Sequence, residues 1–132
     1  VTGTAGGNID DSVMKTMADR IDSMSASGNT AAEALYAAAY FESLLEYINV
    51  KAGLGVNTLR DGGIAAVVSK MKDRGVLGEE QYALVTRARR ARNRLAHRFH
   101  EFEAMEERFR LDMAGTIKEA CALLGECAMK AS

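Results

Sequence analysis

Thr30-Ala-Ala-Glu-Ala-Leu-Tyr-Ala-Ala-Ala-Tyr-Phe-Glu-Ser-Leu-Leu-Glu-Tyr-Ile-Asn-Val50 is the stretch on which the fold class turns. It has no helix breaker, and at about 100° per residue Ala34, Ala38, Phe41, Leu45 and Ile48 fall on one stripe. Tyr36, Tyr40 and Tyr47 gather on the opposite side. A helix that is apolar on two faces is either the central helix of a bundle or the one that meets a second copy of the chain. Thr30 and Glu33 have the spacing of a capping box, in which each side chain satisfies a free amide of the first turn.

The same pattern extends in both directions. Ile9, Val13, Met17, Ile21 and Met24 recur at spacings of three and four, predicting a helix from about Ile9 to Ser25 that Gly28 stops. Beyond Gly53 and Gly55, Thr58-Leu-Arg-Asp61 offers a weaker capping box before a helix carrying Ile64, Val67, Val68 and Met71, with Gly75 as its left-handed cap. Gly62-Gly63 reads as a loosened helix start, since no Gly-Lys-Ser/Thr follows to make a phosphate loop. A fourth helix starts at Glu79-Glu80, whose charges suit a helix N-terminus, and runs past Arg94. A fifth runs from Phe102 or Met105 to Ala128, with Met105, Phe109, Met113, Ile117, Ala120, Leu124 and Cys127 on one drifting stripe.

Proline is absent from all 132 residues and β-branched runs are short. The expectation is an all-α, antiparallel bundle of four to five helices, a single domain over residues 8–132. The opening Val1-Thr-Gly-Thr-Ala-Gly-Gly lacks Met and reads as a flexible, trimmed or fused segment without the charged and apolar regions of a secretory leader. No apolar run approaches the roughly eighteen residues of a membrane span. Cys121 and Cys127, six apart, match no zinc or redox motif and are expected to be buried, reduced thiols in a cytoplasmic protein.

Net charge is −1, which excludes a uniformly basic coat or an acidic tail, yet the charge is unevenly spread. Residues 51–100 carry eleven bases against four acids, while the flanking segments are acidic. Arg87, Arg89, Arg90, Arg92, Arg94 and Arg98 fall within twelve residues that contain no acid. A surface built only for solubility mixes signs, so the cluster points to an anionic partner, with salt bridges to Glu101, Glu103, Glu106 and Glu107 as the plainer alternative. On an ideal wheel Leu84, Ala88, Ala91, Leu95 and Phe99 form the core stripe of this helix. Arg92 lies at its edge, and Asn93 and His97 lie away from it, His97 about 140° from Arg92. One straight helix would not aim the two side chains at one point, so a shared site is easiest if a second copy supplies facing groups.

Arg92-Asn93-Arg-Leu-Ala-His97, an arginine, a polar residue and a histidine five positions on, resembles the signature of the HEPN (higher eukaryotes and prokaryotes nucleotide-binding) superfamily. The resemblance covers the motif helix specifically and the remainder only as architecture. It implies a small helical domain, commonly dimeric, and in many members a metal-independent ribonuclease of toxin–antitoxin or antiphage systems. Carried over, Arg92 and His97 are the catalytic pair and Asn93 orients or assists them; Arg87, Arg89, Arg90, Arg94, Arg98 and His100 become the RNA-binding set. No cofactor or metal is expected: His97, His100 and Glu101 supply at most three ligands, and the paired carboxylates that hold Mg²⁺ are lacking. Expected partners are RNA, a second copy and an antitoxin or regulatory protein, with no membrane. Phe99 stands where a subgroup of the family's toxins carries a modifiable Tyr, which puts that regulation in doubt. The other implied reading is a non-catalytic regulator or adaptor of the same fold, resembling mannitol-operon repressors.

Overall fold

The computed structural model describes residues 11–60 and 62–130. The described residues form six helices and no strand: α1 Asp11–Ser27, α2 Thr30–Lys51, α3 Gly63–Asp73, α4 Glu79–His97, α5 Phe99–Ala104 and α6 Glu107–Lys130. An all-helical bundle is therefore what the sequence folds into. The number exceeds the expected four to five because the motif helix stops at His97, Arg98 leaves helical geometry (φ −139, ψ 46), and α5 is a separate short helix. Among the described residues, no helix is long and apolar enough to cross a membrane. Residues 1–7 and Ile9 lie outside the described residues.

α2 is the central helix. It packs against α1, α3, α4 and α6, which accounts for both of its apolar faces. Phe41, Leu44, Leu45 and Ile48 are fully buried, and Tyr36, Tyr40 and Tyr47 are half-buried against the same core. α6 lies against α2 and α4, and this double cover buries both Cys121 and Cys127, which are free thiols. Burial pushes the Cys121 thiol up to about 12, and its Sγ donates to the Ala37 carbonyl at 3.6 Å.

Several local expectations shift by a residue or more. The α2 cap is Asn29, whose side chain accepts from Ala32 N at 3.0 Å, while Glu33 is buried and ion-paired with Lys118 of α6. An asparagine immediately before Thr30 is the stronger cap for its position. Thr58 does not cap α3: residues 57–60 form a turn in which Asn57 Oδ1 accepts from Leu59 N at 3.0 Å, and the helix starts only at Gly63. Asp61 lies outside the described residues.

Met14 and Ile21 carry the buried face of α1 and Val13 is exposed; Val85 enters the α4 core, where Leu84 and Phe99 are half-buried; Phe109 is exposed. In α1 and α4 the buried stripe is thus turned by one residue from the expected one, Met14 being buried in place of Val13 and Val85 in place of Leu84. Gly53 (φ 65) and Gly75 (φ 75) close α2 and α3 in the same way, each helix being followed by paired bonds such as Val76 N to Met71 O, 2.9 Å, and Gly75 N to Lys72 O, 3.0 Å.

Two features fix the end of α4. Phe102 of α5 is completely buried and stacks on Phe99, ring centres 5.8 Å apart. Arg110 of α6 donates to the carbonyls of Glu103 (3.1 Å) and Met105 (2.8 Å), satisfying the exposed end of α5 with a cation.

Candidate functional site

Where α4 passes the α2–α3 connection, the two enclose a cleft of about 360 Å³. Arg89, Arg92, Asn93 and His97 supply its α4 wall. The opposite wall is Thr58, Arg60 and the Gly62–Gly63 start of α3, and Glu42 of α2 also lines it. The expected pair and its polar neighbour thus share one cleft within one copy of the chain, together with one member of the expected RNA-binding set, Arg89.

The wheel explains why. Arg89 and Asn93 occupy the arc between Arg92 and His97. All four residues line the cleft, so that arc is the width of a wall. The remaining arginines and His100 do not line it. Arg87, Arg90, Arg94, Arg98 and His100 are all exposed. Glu101 answers two of them, at 3.6 Å from Arg94 and 3.4 Å from Arg98. Among the described residues, Arg87, Arg89 and Arg90 have no acidic partner.

Arg92 is held firmly. Its Nε donates to Glu42 Oε2 at 3.0 Å, Nη2 approaches the same oxygen, and Nη1 donates to Asn93 Oδ1 at 2.9 Å. With side-chain exposures of 22% for Arg92 and 36% for Glu42, the pair is only partly solvated and fixes the plane of the guanidinium. One N–H on each terminal nitrogen remains to meet a ligand from the cleft. Asn93 thus holds one terminal nitrogen of the Arg92 guanidinium.

Glu46, one turn along α2, has its carboxyl pushed up by burial and then by the Glu42 charge, against a hydrogen bond from Thr58 that pulls it down. His97, the last helical residue, is exposed. Among the described residues, no group of three His, Cys, Asp or Glu side chains is disposed to hold a metal ion.

Two lining residues were not singled out from the sequence. Arg60 comes from a loop whose position no helical pattern specifies. Glu42 carried a readable signal: it is an acid beside Phe41 at the flank of the core stripe.

The arrangement offers a fixed guanidinium, two further arginines and an imidazole around a polar space. It can bind an oxyanion, and the imidazole can take or give a proton. Comparison of the chain with protein-family models, with curated proteins and with solved structures finds no match.

Proposed function

We propose that the chain is a metal-independent endoribonuclease of the HEPN type, serving a toxin–antitoxin or antiphage system. The observation that carries this reading is the convergence of Arg92, Asn93 and His97 on one cleft. In the reaction, the RNA 2′-oxygen attacks the adjacent phosphorus, the O2′–P bond forms and the P–O5′ bond breaks. The products are a 2′,3′-cyclic phosphate and a free 5′-hydroxyl. His97 in its neutral form accepts the 2′-hydroxyl proton, and Arg92 grips the non-bridging oxygens as charge builds on the phosphorane. Protonation of O5′ needs an acid. A single histidine lines the cleft, so a second copy facing it across the RNA would supply that acid, which is the homodimer this reading implies.

A second reading has its own support. Arg92 is already ion-paired with Glu42, and Arg87 and Arg90 lie exposed outside the cleft. Both features suit a non-catalytic regulator or adaptor that binds nucleic acid or an acidic protein. Incubating the protein and its His97→Ala variant with total RNA in EDTA separates the two. Cleavage by the wild type alone, leaving cyclic phosphate ends, is expected; intact RNA with both proteins would transfer the assignment to the binding reading.

A further inference from the structure

The wall of the cleft opposite α4 is built as carefully as the motif wall. Asn49, 8% exposed, donates Nδ2 to Val56 O at 2.7 Å and accepts from Val56 N at 3.0 Å. Beyond Val56 the chain turns on Asn57, with Arg60 N donating to Asn57 O at 3.3 Å and Gly63 N to Arg60 O at 2.9 Å. A Cβ on Gly63 would lie 2.7 Å from Thr58 Cα and 2.8 Å from Asn57 O, so the turn rests directly against the start of α3. The main chain of Arg60 is therefore fixed while its side chain is exposed and lines the cleft.

Among the described residues, the charges around this space do not balance. Arg60, Arg89 and Arg92 line it, and among the described residues the one lining acid is Glu42, which Arg92 occupies. Neither Arg60 nor Arg89 has an acidic partner among the described residues. Cations brought together from two separate elements repel unless an anion lies between them. Two guanidiniums facing each other across a polar cleft suit phosphate oxygens, which each can take in bidentate fashion. The volume, near the low end for small-ligand sites, suits a single strand and not a duplex.

We infer that Arg60 and Arg89 form a second phosphate subsite in this cleft, taking the phosphodiester next to the one presented to Arg92 and His97. Single-stranded RNA then runs between the α2–α3 loop and α4. The inference rests on reading the cleft as an RNA site, but it concerns binding and not turnover.

Its test uses a fluorescent 2′-O-methyl octauridylate, which lacks the nucleophilic hydroxyl and cannot be cleaved, followed by anisotropy across a salt series. Arg60→Gln and Arg89→Gln should each weaken binding about five- to tenfold and each reduce the slope of log affinity against log salt by about 0.7, the value for one phosphate contact on a single strand. Arg60→Lys keeps the charge and should retain the slope while losing part of the affinity. Lys72→Gln, at the other end of α3 where the ammonium lies over the Tyr82 ring, is the charge-matched control and should change neither quantity. Unchanged slopes in Arg60→Gln and Arg89→Gln, or no binding by the wild type, overturn the subsite. Reduced slopes in a protein that leaves RNA uncut would keep the subsite and overturn the nuclease.

Discussion

Asn49→Ala tests whether the α2–α3 loop is held as described. The substitution removes two hydrogen bonds to Val56, of 2.7 and 3.0 Å, from a site that is 8% exposed. Each such bond contributes about 0.5–1.5 kcal/mol net, so the pair is worth about 2 kcal/mol. The gain in helix propensity from Asn to Ala returns about 0.5 kcal/mol, leaving a loss of about 1.5 kcal/mol. For a chain of this size that lowers Tm by about 5–8 °C. Calorimetry gives the shift, and amide exchange should quicken over residues 54–60 before the rest of the molecule, because the loop loses its tether to the end of α2.

Asn49→Asp sharpens the argument. A carboxylate puts an acceptor where Nδ2 donated to Val56 O, so the folded state favours the protonated acid and raises its titration point. The variant's stability is then largest in acid and falls as pH rises through that point. A Tm for Asn49→Ala within 1 °C of wild type, or an Asn49→Asp variant that shows no such loss at neutral pH, would refute the role given to this side chain.

Three further outcomes are expected. Glu42→Ala, which frees the Arg92 guanidinium, should lower kcat for RNA cleavage about tenfold with a smaller change in KM, and Glu42→Gln, which keeps an acceptor, should recover much of it; equal losses in the two variants would argue against positioning by Glu42. The Cys121 thiol, pushed by burial from its ordinary 9.0 up to about 12, keeps its proton in the folded chain after the unfolded chain has lost it, so stability is complete below pH 9 and declines as pH rises toward 12. Urea midpoints across that range measure the decline, and iodoacetamide at neutral pH should label this thiol only on unfolding. Phe102→Ala, at a completely buried position stacked on Phe99, should cost about 3–5 kcal/mol in urea unfolding, and a loss below 1 kcal/mol would mean α5 is no anchor for the end of α4.

Helix content was legible because the chain has no proline and its apolar spacing is regular, and the double apolar face of α2, which suits either a central helix or a contact with a second copy, belongs to the helix at the centre of the bundle. The wheel assumes that a stripe is covered along its whole length and fixes its centre only to within a residue, so Phe109, near the start of α6, is exposed, and in α1 Met14 is buried in place of Val13. The capping-box spacing of Thr30 and Glu33 drew attention from Asn29, the better cap by residue type, which is why Thr30 was expected where Asn29 serves. The break at Arg98 has no breaker residue to announce it. Burial of Phe102 does not require it, because a continuous helix would keep that ring at the angle of Leu84, on the core stripe.

The α4 wall of the cleft was legible in its residues and not in its geometry. Arg92 and His97 diverge by about 140° on an ideal helix, so that a shared site looks easiest if a second copy supplies facing groups. That inference treats a site as a point. A polyanion passing along a helix meets a wall, and residues spread over that arc can touch successive atoms of the same strand. Arg89 and Asn93 fill the arc, and Glu42 turns Arg92 toward Asn93 from the opposite edge. The spacing of arginine and histidine is therefore compatible with a cleft in one copy of the chain. What a helix cannot supply is the facing wall, and here the chain provides it locally, through a loop that Asn49 ties down and that brings Arg60 across from α4. On the proposed nuclease reading, a second copy would supply the acid that protonates the leaving oxygen and would not be needed to hold the strand. Binding of the uncleavable RNA should accordingly survive dilution to the monomer, whereas cleavage per chain should fall with it.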